Sequence, residues 1–203
     1  MSKTTLYLSF DVETDGPSPL VNNLLSIGIV GFEENTGTEV FEFETNIIPL
    51  PTHIPDTECM ETFWLKPEQK EAWDYLKTNK RDYIKAFEDL SCKLIVLSNK
   101  YKLVWIAHPA CFDWMFFKSY YEMAKSNSPN KKYFYDIGYQ CVCISTLFNL
   151  YRKIHNLTSS QTSKLFNELG EFDAKINHRA SADARVQGKF YIGLMKKIEN
   201  KNI

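Results

Sequence analysis

Residues 4–14 read Thr-Thr-Leu-Tyr-Leu-Ser-Phe-Asp-Val-Glu-Thr. Up to Phe10 the stretch alternates along one strand, and it then runs into Asp11-Val12-Glu13. Successive side chains of a strand point to opposite faces, so Asp11 and Glu13 share a face at its C-terminal end. An acidic pair in such a place is ordinarily a solvated turn and acquires meaning only with partners elsewhere. The run Asp15-Gly16-Pro17-Ser18-Pro19 consists of turn formers and cannot be helix interior. Residues 24–32, Leu-Leu-Ser-Ile-Gly-Ile-Val-Gly-Phe, read as a second strand buried on both faces. Glu34-Asn35-Thr36-Gly37 suits a hairpin turn, and residues 38–46 alternate again. Three sequential strands, antiparallel neighbours, therefore open the chain.

Helical patterns follow. Pro67 heads a helix over 67–76, and 81–100 carries apolar residues at helical spacing from Tyr83 and Phe87 to Leu94 and Leu97. Residues 103–107 form a compact strand and 112–124 a strongly apolar helix. A short strand is expected near Tyr135–Ile137, then helices over 142–154 and 180–199. No repeat, low-complexity tract or linker divides the chain, so one α/β domain spans 1–203, with 200–203 a frayed tail.

The 203 residues are 44% hydrophobic and 24% charged, which is the composition of a folded globular chain. With 24 Lys plus Arg against 25 Asp plus Glu, the net charge of −1 excludes a protein that coats nucleic acid by bulk electrostatics. The five cysteines fit neither a C-x-x-C redox turn nor a zinc knuckle and read as free thiols in a reducing compartment. Neither a signal peptide nor a membrane-length apolar run is legible, so a soluble cytoplasmic protein is expected.

Further carboxylates sit where they are expensive. On a helical wheel Asp113 shares a stripe with Phe116, Phe117, Tyr120 and Ala124, the face that should meet the core. An unpaired buried carboxylate costs several kcal/mol, so Asp113 is either a helix cap or a functional group. Asp183 repeats the pattern, on one stripe with Val186, Phe190, Leu194 and Ile198. His178 stands five residues earlier. In a continuous helix the two would diverge by roughly 140°, so His178 must lie on the loop leading in if it is to converge with Asp183. Four carboxylates at one edge of one sheet would raise one another's pKa values. Divalent cations remove that penalty, and oxygen-only ligands favour Mg²⁺ or Mn²⁺. The chemistry implied is metal-assisted phosphodiester hydrolysis, with an imidazole placed to take a proton from the attacking water.

These residues resemble a family. Phe10-Asp11-Val12-Glu13-Thr14 is similar to the first motif, D-x-E-T, of the DEDDh 3′–5′ exonucleases, which include RNase T and polymerase proofreading subunits. Ala107-His108-Pro109-Ala110-Cys111-Phe112-Asp113 resembles their second motif, A-H-N-A-x-F-D, with Pro109 in place of Asn. His178-Arg179-Ala180-Ser181-Ala182-Asp183-Ala184 resembles the third, H-x-A-x-x-D-A. The resemblance implies a ribonuclease-H-like α/β fold, a mixed five-stranded sheet flanked by helices with the second strand antiparallel. It also implies that Asp11, Glu13, Asp113 and Asp183 hold two Mg²⁺, replaceable by Mn²⁺, with His178 as general base. The partner would be the 3′ end of a single-stranded RNA or DNA, met by a small stand-alone enzyme acting alone or as a homodimer. Thr14 becomes the candidate for the 3′-OH contact.

Phe63, Trp64 and Trp114 are candidates for stacking on bases, although aromatics this abundant serve mostly as core. His108 sits near Asp113 at a strand end, and Arg179, Arg185 and Lys189 are candidate phosphate contacts or a solvated charged face. Two other readings compete. A haloacid-dehalogenase-like phosphatase wants a second Asp where Glu13 stands and leaves the spacing of His178 and Asp183 unexplained. A catalytically silent nuclease fold used for binding would not need all five catalytic positions intact.

Overall fold

The alternation in 4–14 forms β1, Thr5–Thr14, which is the middle strand of the sheet. Its even-numbered residues Leu6, Leu8, Phe10 and Val12 enter one apolar core, and Tyr7 enters the core on the opposite face. Asp11 and Glu13 therefore project on the Tyr7 side. The computed structural model describes residues 3–170 and 178–199. The expected tail at 200–203 lies outside the described residues.

β2, Leu24–Glu33, and β3, Glu39–Asn46, extend the sheet antiparallel on one side of β1. Gly37 takes a φ of 70° in the turn between them, where its N–H donates to the Glu33 carbonyl at 2.8 Å. On the other side β4, Lys102–Ala107, runs parallel to β1, followed by β5, Val142–Cys143. The order β3-β2-β1-β4-β5 is the mixed five-stranded, ribonuclease-H-like sheet expected from the motifs.

Between β3 and β4 lie α1, Thr57–Cys59, a π-helical turn Met60–Trp64, a 3₁₀ turn Pro67–Gln69, α2, Lys70–Leu76, and α3, Tyr83–Lys100. Asp82 caps α3 by accepting from the Lys85 N–H at 3.1 Å. α4 is Ala110–Asn127, and its stripe Phe116, Phe117, Tyr120, Tyr121 and Ala124 is buried as the periodicity requires. α3 and α4 cover the face of Leu8 and Phe10. The other face is covered by α5, Ile144–Ile154, α6, Ser159–Gly170, and α7, Ala180–Glu199.

Two expectations are corrected. Tyr135–Ile137 is not a strand: Ser91 Oγ accepts from the Tyr135 N–H at 2.6 Å, and the Tyr121 hydroxyl donates to the Tyr135 carbonyl at 2.8 Å. Side chains thus take the groups a ladder would use. The fifth strand is instead Val142–Cys143, beside Ile106 and Ala107, in the segment expected to open a helix.

Candidate metal centre and active-site cleft

β1 outruns its parallel neighbour. Its pairing with β4 ends at Ser9 opposite Ile106, so Asp11 to Thr14 extend past the last β4 partner. The Val12 N–H in this overhang donates to Asp113 Oδ1 at 3.3 Å. Asp113 is not the α4 cap, because Pro109 holds that position and Asp113 lies within the first turn. It is 3% exposed, and its second oxygen, Oδ2, is buried without a hydrogen-bond partner.

α7 reaches the same place from the opposite face. Gly28 of β2 pairs with Asp11, and a Cβ built on Gly28 would lie 2.1 Å from the Ala180 carbonyl carbon and the Ser181 nitrogen. The missing side chain lets the start of α7 rest on the strand, which brings Asp183 over β1. His178 lies just ahead of the helix, with a φ of 46°. That backbone turns it back toward the strand, so Glu13, His178 and Asp183 present ligand atoms all within 4.8 Å of one another. The loop position demanded of His178 is the one observed.

A cleft of about 610 Å³ collects these groups. Asp11, Glu13, Asp113, Asp183, His178 and His108 line it together with an apolar wall that includes Phe112, Ile144, Phe166 and Phe190. Burial is the first cause of every carboxyl shift in it. Asp11 and Glu13 are raised well above the carboxylate range, by desolvation and then by their acidic neighbours. Asp113 is raised to about 7 and Asp183 to about 6, both by burial. Burial lowers His178 below the usual imidazole value, which favours the neutral ring.

The donor set fits a hard divalent cation. Four carboxyls are gathered, and among the described residues no Lys or Arg lines the cleft to compensate them and no donor satisfies Asp113 Oδ2. Oxygen ligands of this kind suit Mg²⁺ or Mn²⁺.

The expected substrate contacts divide. Phe63 is half-buried, and its ring meets the His178 ring edge-on at 4.9 Å between centroids. Trp64 is corrected to a core residue: it is 2% exposed, and its Nε1–H donates to the Thr14 carbonyl at 2.8 Å. Thr14 is buried outside the cleft lining, and its hydroxyl donates to the Gly16 carbonyl at 2.9 Å, bracing the turn after β1. Trp114 is half-buried and packs on Phe10, Trp105 and Phe117. Arg179 stacks 4.2 Å from the Tyr75 ring centroid and bonds Glu44 at 3.1 Å, while Arg185 bonds Glu39 and Glu42. Both arginines clamp α7 to β3, and Lys189 adds attraction to Glu39.

Sequence reading missed Gln187. It lies one turn beyond Asp183 on α7 and lines the cleft. The signal was its spacing, since residues four apart on a helix share a face.

A family model for the Rv2179c-like 3′-5′ exoribonuclease domain matches residues 7–193. The chain belongs to this family. No curated protein sequence matches it. Solved nuclease structures share the fold of this Rv2179c-like chain. Cell-death related nuclease 4 (CRN-4) aligns with a TM-score of 0.61 and 15% identity over 97% of this chain and 64% of that one. The nuclease domain of 3′hExo, a DEDDh family member bound to rAMP, aligns with a TM-score of 0.61 and 12% identity over 97% and 93%. S. pombe Pop2p, in a form with Mg²⁺ and Mn²⁺ bound, aligns with a TM-score of 0.57 and 11% identity over 96% and 84%. At such identities these structures share the fold. Among the described residues no helix is long and apolar enough to cross a membrane.

Proposed function

We propose that this chain is a single-domain, metal-dependent 3′–5′ exonuclease that hydrolyses phosphodiester bonds at the 3′ end of single-stranded nucleic acid. The observation that carries this reading is the convergence of Asp11, Glu13, Asp113, Asp183 and His178 on one cleft. In this reading the four carboxylates hold two Mg²⁺, and Mn²⁺ substitutes. Such ions, when bound, offset the charge of the phosphoryl oxygens and make water easier to deprotonate.

The side chains account for the remaining work. His178, kept neutral by burial, accepts the proton of the attacking water. The edge of Phe63 supports the imidazole and limits its rotation. Phe112, Phe166 and Phe190 offer an apolar wall against which the terminal base can lie, away from the carboxylates. The five cysteines are free thiols, which suits a reducing cytoplasm.

The test is a time course on 5′-labelled single-stranded RNA and DNA of one sequence, with Mg²⁺, Mn²⁺ or EDTA, beside Asp11→Asn. A metal-dependent ladder that shortens from the 3′ end and disappears in the variant supports the proposal. Strands that are bound but stay intact with either metal would replace it with a silent binding module.

A further inference from the structure

Gln187 connects the three motif segments through one amide. Its Oε1 accepts from the backbone N–H of His108 at 3.0 Å, and its Nε2 donates to Asp11 Oδ1 at 2.8 Å. His108 is the residue immediately after β4, Asp11 lies in the β1 overhang, and Gln187 sits one turn past Asp183 on α7. The first motif, the second motif and the helix of the third are thus joined at a point that none of the three motif patterns includes.

We infer that Gln187 is a positioning residue that sets the orientation of Asp11 for cation binding. This rests on the metal-dependent reading of the cleft. The chemistry requires an amide. A carboxamide has a donor and an acceptor at fixed separation on one rigid plane. It can take the His108 N–H and give to Asp11 at once, so neither group is left unpaired at the end of the sheet. It also carries no charge. A Lys in its place would compensate Asp11 and compete with a cation, and a Glu would add another negative charge to a crowded cluster. Anchoring Oδ1 leaves Oδ2 as the oxygen that Asp11 offers to a cation.

The experiment is a titration of Mn²⁺ into the metal-free full chain without nucleic acid, followed by electron paramagnetic resonance, for wild type, Gln187→Met and Gln187→Asn. Methionine has nearly the same length and makes neither bond; asparagine keeps the amide but is one methylene too short to span both partners. Partners that orient metal ligands are typically worth 10- to 100-fold in affinity. Gln187→Met is expected to weaken Mn²⁺ binding about 10-fold, with Tm held within a few degrees of wild type. The Mg²⁺ concentration for half-maximal hydrolysis should rise in parallel, and the His108 amide should exchange faster with solvent. If Gln187→Met does not fold, Gln187→Asn carries the same comparison. Unchanged Mn²⁺ affinity in the folded variants overturns the inference, and so does an affinity loss that only tracks a loss of Tm. A wild type that binds Mn²⁺ but cleaves no strand would overturn the nuclease reading alone, provided Gln187→Met still binds more weakly.

Discussion

Gly28 lies directly against Ala180: a Cβ added to the glycine would stand 2.1 Å from the alanine carbonyl carbon. Gly28 is also the β2 partner of Asp11. One absent side chain therefore sets how closely the segment bearing His178 and Asp183 approaches the strand bearing Asp11 and Glu13. Farther along α7 a Cβ on Gly188 would collide with the Phe32 ring at 2.1 Å, so the helix rests on the sheet at two glycines.

Gly28→Ala must push the start of α7 away from β2, because the obstructing atoms are backbone. Overpacking of this kind costs about 1–3 kcal/mol. Thermal denaturation should show a drop of several degrees, and hydrolysis should fall further than the lost stability explains. A variant with wild-type rate would show that the helix tolerates displacement.

The carboxyl shifts fix the sign of a pH effect. A carboxyl whose folded pKa is raised favours the fold while protonated, and this contribution is lost as pH rises through the folded value. From the ordinary value of 3.8, that loss runs up to about 6 for Asp183 and about 7 for Asp113, a window of roughly pH 4 to 7. The Tm of the metal-free protein should fall across this window, and added Mg²⁺ should raise Tm more at pH 8 than at pH 5. A metal-free Tm that climbs with pH would contradict the clustering of these charges.

His178→Asn removes the proton acceptor from a loop position without disturbing a helix. Loss of a general base typically lowers the rate by about 10²–10⁴. Steady-state hydrolysis should show this in kcat, with Tm nearly unchanged. A variant that keeps its full rate would assign the proton transfer elsewhere.

Trp64→Phe keeps the packing on Trp73 but leaves the buried Thr14 carbonyl without its donor. An unsatisfied buried group costs about 1–3 kcal/mol. The expected outcome is a lowered Tm with no specific loss of single-strand affinity beyond the unfolded fraction, measured by fluorescence anisotropy. Weakened binding at unchanged Tm would return Trp64 to the role of a base-stacking residue.

Much of this architecture is written in local pattern. The alternation of β1, the doubly buried β2 and the stripes of α4 and α7 have long periods, and the motif residues sit on them in chain order. β5 is not legible in sequence because two residues carry no period, and their pairing depends on where β4 ends. α6 is equally obscure in sequence, since its apolar residues Leu165, Phe166 and Leu169 take their meaning from the cluster they form with α5 and α7. Thr14 directly follows the first motif and Trp64 is one of many aromatics that serve either as core or as a stacking surface, so neither role is legible in sequence. Only the three-dimensional fold shows the Thr14 hydroxyl bonded to the Gly16 carbonyl and the Trp64 indole bonded to the Thr14 carbonyl. Gln187 reaches Asp11 across 176 residues of chain, a pairing that no local spacing encodes.

The central claim is metal-dependent hydrolysis from a 3′ end by carboxylates gathered around the β1 overhang. The most direct measurement compares wild type and Asp113→Asn in Mg²⁺ on a 5′-labelled linear single strand and on the same strand closed into a circle. The account predicts stepwise shortening of the linear strand from its 3′ end by wild type alone, with the circle untouched by both. Cleavage of the circle, or equal shortening of the linear strand by Asp113→Asn, would contradict it.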